Sequence, residues 1–400
     1  MRRLILFTVL SLGLILAVGC NSNTNGKQLH NELKTDDSLT LTRYKDSLDW
    51  FFNYLLLDND NFSGGILVAK NGHILYENYR GFADRTKKDS ITAETPFHVA
   101  STSKTFTAIA ILQLVEQGKL NFEDPLTKFF PAMPYPDLKV RHLLSHSSGI
   151  TNYANLLPRF KWNTRKPATN NDVLHILFTH KPRLEFYPGT RFKYSNINFV
   201  ILASLVERIS GERFPDYIQK HIFDVAGMSN SYVYSETTPR SLFMDSYFAN
   251  GRLYGFNYLD NLYGDKNVYT TCRDLFKYDS VMYSGGLVKK ELLDAAQLPY
   301  YMDHRNRDTL EYYGLGFRLK VFNDSTKIAY HNGWWHGNNA VFQRLINEGV
   351  TIIVTGSRFN RKIYDATLVA NIFAPYYKDE YIIEVDSGET EGGSEANKKE

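Results

Sequence analysis

Phe97-His98-Val99-Ala100-Ser101-Thr102-Ser103-Lys104-Thr105-Phe106-Thr107-Ala108 is the stretch on which the reading of this 400-residue chain turns. It contains Ser101-Thr102-Ser103-Lys104, the chain's single S-x-x-K. The pattern alone is weak, because chance supplies such matches in a chain of this length. Its setting is informative. Ala108-Ile109-Ala110-Ile111-Leu112 is apolar on every side, so Thr105 to Gln117 predicts a buried central helix that Gly118 ends. Residues three apart share a helix face, so the Lys104 amine can stand beside the Ser101 hydroxyl. A helix N-terminus favours developing negative charge, and a lysine kept dry can act as a base. The same residues also fit a serine N-cap followed by a solvated lysine.

Working outward, Ile66 to Ala69, Asn71-Gly72 and Ile74 to Tyr76 predict a β-hairpin, because Asn-Gly supplies the two positive φ angles of a type I′ turn. Before it, Leu39 to Leu57 carries apolar residues at helical spacing. From about Asp124 to Asn250 helical patterns dominate, broken by Pro-rich loops such as Pro131 to Pro136. Strand patterns return at Tyr313 to Leu319, Lys327 to His331, Ala340 to Ile346 and Val350 to Val354, and a last helix is expected over Tyr364 to Phe373. Strands at both ends with helices between them predict an α/β fold, its sheet built from both chain ends around a helical insertion.

Two further motifs carry chemistry. Tyr194-Ser195-Asn196 fits Y-x-N in a loop that enters an apolar helical run, where the phenol can reach a cleft and Asn196 can bind a substrate amide. Tyr76-Glu77-Asn78 and Tyr153-Ala154-Asn155 fit as well. Hairpin alternation explains the first, and the second reads as part of a Gly/Asn loop. His331-Asn332-Gly333 is the chain's single H-x-G. It ends a strand pattern, where glycine permits close backbone approach, although a structural histidine fits equally.

Taken together these motifs resemble the serine β-lactamases and penicillin-recognising hydrolases, in particular the class C-like branch with DD-peptidases, D-aminopeptidases and esterases. The order matches: S-x-x-K, Y-x-N 93 residues later, and H-x-G 137 residues further on. His142-Leu143-Leu144-Ser145-His146-Ser147-Ser148-Gly149, Pro188-Gly189-Thr190 and Gly264 to Thr271 match too. The resemblance covers roughly residues 45–375. It implies a β-lactamase/transpeptidase-like fold: an antiparallel sheet flanked by helices, with an all-helical lobe inserted at about 107–255 in a catalytic domain of residues 41–376.

The resemblance also implies roles. Ser101 would attack a carbonyl and form an acyl-enzyme, with Lys104 and Tyr194 moving its proton. Which of the two is the base stays open. Asn196, His331, Gly333 and Trp334 would bind substrate, and the N–H groups of Ser101 and Trp334 would hold the oxyanion. His142, His146 and Ser147 look like a Ser/His pair, but the match makes them a structural loop. His331 stands where many β-lactamases have lysine. Imidazole is largely neutral near pH 7 and anchors a carboxylate more weakly. A peptidase, amidase or esterase therefore ranks above a β-lactamase, and a non-catalytic binding protein of the same fold remains as an alternative. The substrate expected is a small molecule or a peptide, peptidoglycan-derived material included. Trp334-Trp335 departs from the small residues common there, and can stack on substrate or pack in the core.

The N-terminus reads as an export signal. Arg2 and Arg3 precede an apolar Leu4 to Val18, too short to span a bilayer, and Ala17-Val18-Gly19-Cys20 resembles a bacterial lipobox. The expectation is a signal peptide at 1–19, lipidation at Cys20 and a tether over 20–40. The product would be an exported lipoprotein held at the membrane, periplasmic or on the cell surface. Residues 377–400 read as an acidic disordered tail. A net charge of +3 gives no basis for nucleic-acid binding. Two cysteines, Cys20 and Cys272, exclude a disulfide framework and a Cys-rich zinc site. No metal or other cofactor is expected. Cys272 reads as a small buried apolar residue. Arg159 to Lys166 mixes basic residues with Phe160 and Trp162, and fits either a solvated loop or a contact with anionic polymer or lipid.

Overall fold

The computed structural model describes residues 38–377, apart from 59–60, 85–87, 243, 256, 306–308 and 323–325. The expectations for the signal peptide, for Cys20 and for all of the tail beyond Tyr377 lie outside the described residues. Residues 44–400 form one compact unit. Residues 38–43, the described part of the other unit, are the start of a helix, α1 (Ser38–Phe52), where the tether was expected to end.

The main sheet grows from the predicted hairpin. β1 (Gly64–Lys70) and β2 (His73–Arg80) pair with Lys70 opposite His73. Asn71 and Gly72 both have positive φ, 49° and 82°, as the type I′ turn requires. Three short strands follow: β3 (Phe82–Asp84), β4 (Asp89–Ser90) and β5 (Phe97–His98). After β6 (Tyr232–Val233) and β7 (Val268–Thr270), the chain returns to the main sheet through β8 (Tyr301–Arg305), β9 (Thr309–Tyr313), β10 (Arg318–Phe322), β11 (Lys327–Trp335), β12 (Asn338–Leu345) and β13 (Val350–Gly356). The order is β2-β1-β13-β12-β11-β10-β9-β8, antiparallel throughout. Pairing of β1 with β13 joins the two ends of the chain, as the sequence pattern predicts. β13 is buried along its whole length because both faces are covered. A Cβ on Gly65 would meet Cys272 Sγ at 2.8 Å, whereas one on Gly356 would meet Ile363 on the opposite side. Cys272 is buried and free, and burial pushes its thiol up to about 12.

The central helix, α2 (Ser103–Glu116), is buried almost throughout. Gly118 N–H bonds to Val115 O and Lys119 N–H to Leu114 O, a Schellman ending that uses the left-handed glycine at 118. Between α2 and β7 lie α3 (Val140–Leu144), α4 (Tyr153–Arg159), α5 (Asn170–His180) and α6 (Ile197–Ser210), then a helical run over residues 214–226 that passes through a π turn. The antiparallel sheet flanked by helices is the expected fold class. The insertion is less purely helical than expected, because β6 lies within it and joins β5 and β7 in a three-stranded sheet. Helices α7 (Cys272–Tyr283) and α8 (Lys290–Ala296) precede β8.

Two local expectations need correction. Tyr313 to Leu319 is not one continuous strand: Tyr313 ends β9, residues 314–317 turn, and Arg318 and Leu319 begin β10. Gly316 takes φ 87°, and the N–H groups of Leu315 and Gly316 bond to Ala296 O and Leu144 O, outside any ladder. The C-terminal helix starts as a 3₁₀ helix over Arg361–Val369 and becomes α-helical at Ala370–Phe373. No helix among the described residues is long and apolar enough to cross a membrane.

Candidate active site

Ser101 sits in a 3₁₀ turn, Ala100–Thr102, that opens α2. Ala100 precedes it with φ 47°, in the left-handed region, which costs a non-glycine residue about 1–2 kcal/mol. Neighbours hold that backbone in place. Ala100 N–H donates to His98 Nδ1 at 3.2 Å, Val99 N–H to Val268 O at 3.0 Å, and Thr102 Oγ1 to His331 O at 2.9 Å. Since Nδ1 of His98 accepts, its proton belongs on Nε2, which faces Asn267 Oδ1 at 3.1 Å. Burial lowers this imidazole to about 4, so it stays neutral.

Lys104 has no exposed surface. Its Nζ donates to Ser101 Oγ at 2.9 Å and to the backbone oxygen of Asp265 at 2.9 Å. It also lies 4.9 Å from the centroid of the Tyr194 ring. Tyr194 OH donates to Ser101 Oγ at 3.0 Å. The solvated-lysine alternative is thus excluded, and two proton-carrying groups from distant parts of the chain meet on one serine oxygen. That arrangement can accept the serine proton and return one to a leaving group.

The loop before α6 places Tyr194, and His146 supports that loop. Lys193 N–H bonds to His146 O at 2.9 Å, while Ser195 N–H and Asn198 Nδ2 approach His146 Nδ1 at 3.2 and 3.1 Å. The His146 ring lies 4.2 Å from that of Tyr194. Burial holds His146 well below its usual range, with the charge of Lys104 adding to the effect. Ser147 Oγ pairs with Ser145 Oγ at 3.0 Å and not with an imidazole, so this segment is scaffold, as the resemblance implies. Asn196 is buried at the entry to α6.

β10 pairs with β11 only as far as Tyr330, so from His331 to Trp335 the strand keeps an edge that no other strand covers among the described residues. Gly333 lies against the serine turn. A Cβ there would come within 2.2 Å of Val99 O and 3.1 Å of Ser101 N. His331 is beside the site, 6.4 Å from Tyr194 between ring centroids, but it is 1% exposed. Its Nε2 is 3.0 Å from Tyr313 OH and its Nδ1 2.7 Å from Asn332 O. Burial first, and Lys104 second, keep it well below its usual range. The ring is therefore engaged within the protein, and the strand edge is what it leaves open. The permanent cation nearby is Arg318, paired with Asp303, with its guanidinium carbon 5.3 Å from the Tyr194 ring. The two tryptophans have different surroundings. Trp334 is 38% exposed, against Phe359. Trp335 is tied down by Nε1 to Asp260 Oδ1 at 2.8 Å, and His336 Nε2 lies the same distance from that oxygen.

Sequence reasoning missed Arg318, Tyr313 and a buried group made of Tyr153, Asp265 and Lys266. Tyr153 is the first residue of α4 and not part of a loop, and its hydroxyl donates to Asp265 Oδ2 at 2.6 Å. The second Y-x-N copy was the available signal for Tyr153, but nothing local indicates its partner. In the Arg159–Lys166 segment, Trp162 Nε1 bonds to Lys166 O and Lys166 Nζ lies 5.0 Å from the Trp162 ring, an exposed loop packed on itself. Among the described residues, no group of three or more His, Cys, Asp or Glu side chains could hold a metal ion.

The profile of the family described as Beta-lactamase matches residues 56–373. The chain belongs to the beta-lactamase family. Penicillin-binding protein 4* of Bacillus subtilis is 30% identical over 330 residues, 78% of this chain and 72% of that protein. Teichoic acid D-alanine hydrolase of Staphylococcus aureus is 25% identical, over 68% of this chain and 71% of its own. Among solved structures, a penicillin binding protein from Bacillus halodurans superimposes with a TM-score of 0.70 at 28% identity, covering 80% of this chain and 98% of that one. As a member of the beta-lactamase family the chain is a serine hydrolase. The family match spans both the serine turn and the strand edge.

Proposed function

We propose that this hydrolase cleaves D-aminoacyl amides or esters of the cell envelope through an acyl-enzyme on Ser101. The observation that carries the reading is the convergence of Lys104 Nζ and Tyr194 OH on Ser101 Oγ. Ser101 Oγ attacks the substrate carbonyl as Lys104 and Tyr194 together take its proton. The oxyanion accepts the Ser101 and Trp334 N–H groups, donors typically worth about 3 kcal/mol each. The proton then passes to the leaving amine or alcohol, and water releases the acyl group by the reverse route. Asn196 orients the acyl side, and the open edge of β11 can pair with an extended peptide.

The names of the relatives support a D-alanyl substrate, since one is a penicillin-binding protein and another a D-alanine hydrolase of teichoic acid. We place the enzyme outside the cytoplasm, tethered through lipidated Cys20. Purified residues 21–400, assayed on D-Ala-D-Ala peptides, D-amino-acid amides, p-nitrophenyl esters and nitrocefin, test the assignment. Turnover is expected on the first three. Fast nitrocefin hydrolysis with no turnover of the others would make the enzyme a β-lactamase instead.

A further inference from the structure

The mechanism above leaves unused a buried carboxylate, lysine and tyrosine that lie against it. Asp265 and Lys266 are 1% and 3% exposed. Lys266 Nζ lies 3.5 Å from Asp265 Oδ2, and both groups bond to the Tyr153 hydroxyl, at 2.9 Å from Lys266 and 2.6 Å from Asp265. The ammonium is held between two rings, 4.8 Å from the Tyr153 centroid and 4.5 Å from that of Trp335. Asp265 Oδ1 is buried with no hydrogen-bond partner among the described residues. A buried ion pair is rarely worth more to stability than apolar residues of the same size, so stability is a poor reason for one here. Its place is the better reason. Asp265 binds Lys104 through its backbone oxygen and carries a charge on its side chain.

We propose that Asp265 and Lys266 form a balanced charge pair that sets the pH at which Ser101 becomes reactive, with Tyr153 fixing their geometry. The inference rests on Ser101 being the nucleophile. Several groups act on Lys104. Tyr194 reaches it from the loop before α6, His146 from the loop after α3 and His331 from β11, while Arg318 on β10 lies against the Tyr194 ring. Both histidines are kept neutral by burial, and Arg318 is already paired with Asp303. Asp265 and Lys266 differ from that pair in being joined to Lys104 through the Asp265 backbone oxygen, and removing either one leaves the other uncompensated there. Asp265→Asn leaves a cation, which disfavours the protonated form and moves the acid limb of reactivity to lower pH. Lys266→Met leaves an anion and moves that limb to higher pH. The signs are the same whether the titrating group is Lys104 or Tyr194, because the charge of either falls by one unit on deprotonation, from +1 to 0 for the lysine and from 0 to −1 for the tyrosine.

The test is the rate of Ser101 labelling by a fluorophosphonate as a function of pH, in the full-length protein. Opposite shifts of about one pH unit or more are expected for the two variants, with a return toward wild type in the double variant. Structural loosening alone would lower both rates without moving the limbs apart. Either single variant decides by its sign should the other fail to fold. Limbs that stay in place, or move together, overturn the proposal while leaving Ser101 as nucleophile. Labelling that persists in Ser101→Ala overturns both.

Discussion

Gly333→Ala is the most pointed structural perturbation. The added Cβ would lie 2.2 Å from Val99 O and 3.1 Å from Ser101 N, whereas ordinary contact begins near 3.4 Å. β11 and the serine turn must separate by about 1.2 Å, the difference between 3.4 and 2.2 Å. Overpacking of this kind costs about 1–3 kcal/mol of stability. The greater effect falls on chemistry. β11 carries the Trp334 N–H, the turn carries that of Ser101, and a misplacement of about 1 Å at a reacting centre costs on the order of 10²-fold in rate. Gly64→Ala is the control. Its Cβ would lie 1.9 Å from Thr355 O in the β1–β13 pair, so it is at least as crowded but does not touch the serine turn. The assay pairs urea unfolding with the second-order rate of Ser101 labelling on the folded proteins. Both variants should lose stability, and Gly333→Ala alone should lose about 10²-fold in labelling. A folded Gly333→Ala that labels at the wild-type rate would refute the contact argument.

Two more predictions concern proton chemistry. Lys104→Met and Tyr194→Phe should each slow acylation by about 10²–10⁴-fold with little change in binding of a non-reactive analogue, measured by stopped-flow acylation and by titration. The protein should also lose stability as pH falls from about 6.5 toward 4. His98 is lowered from 6.5 to about 4, and His142, His146 and His331 are lowered too, so the unfolded chain binds more protons across that window. His98 alone contributes roughly 3 kcal/mol of this loss. Urea midpoints measured at several pH values check the slope, which should ease for His98→Asn if that variant folds.

Much of the fold follows from local chemistry. Asn71-Gly72 dictates its turn because few other pairs supply two positive φ angles cheaply. The Thr105–Gln117 expectation lies within one or two residues of the observed helix, since an all-round apolar run and a following glycine admit little else. Where local pattern failed, tertiary contact decided. Tyr313 to Leu319 reads as a strand, yet it turns in the middle, where the N–H groups of Leu315 and Gly316 are taken by Ala296 and Leu144 from elsewhere in the chain. β8 escaped notice because Asp303, His304 and Arg305 at the sheet edge hide any alternation.

The site divides in the same way. Ser101 and Lys104 are legible because three residues along a helix are neighbours in space. Tyr194, His331 and Gly333 were reached only through the order of motifs along the chain. Asp265 and Lys266 lie within a stretch that was matched, but their meeting with Tyr153 spans more than a hundred residues and leaves no periodic trace. His331 shows the limit most clearly. The motif places the residue correctly beside the site, whereas only packing reveals that its ring faces Tyr313.

The central claim is that Ser101 forms the acyl-enzyme. Peptide mass spectrometry of the purified protein after brief exposure to a fluorescent penicillin or an activated D-alanyl ester tests it directly. A single covalent adduct on Ser101, absent in Ser101→Ala and released on longer incubation, is the predicted result. An adduct on another residue, or turnover of the ester that survives in Ser101→Ala, would contradict it.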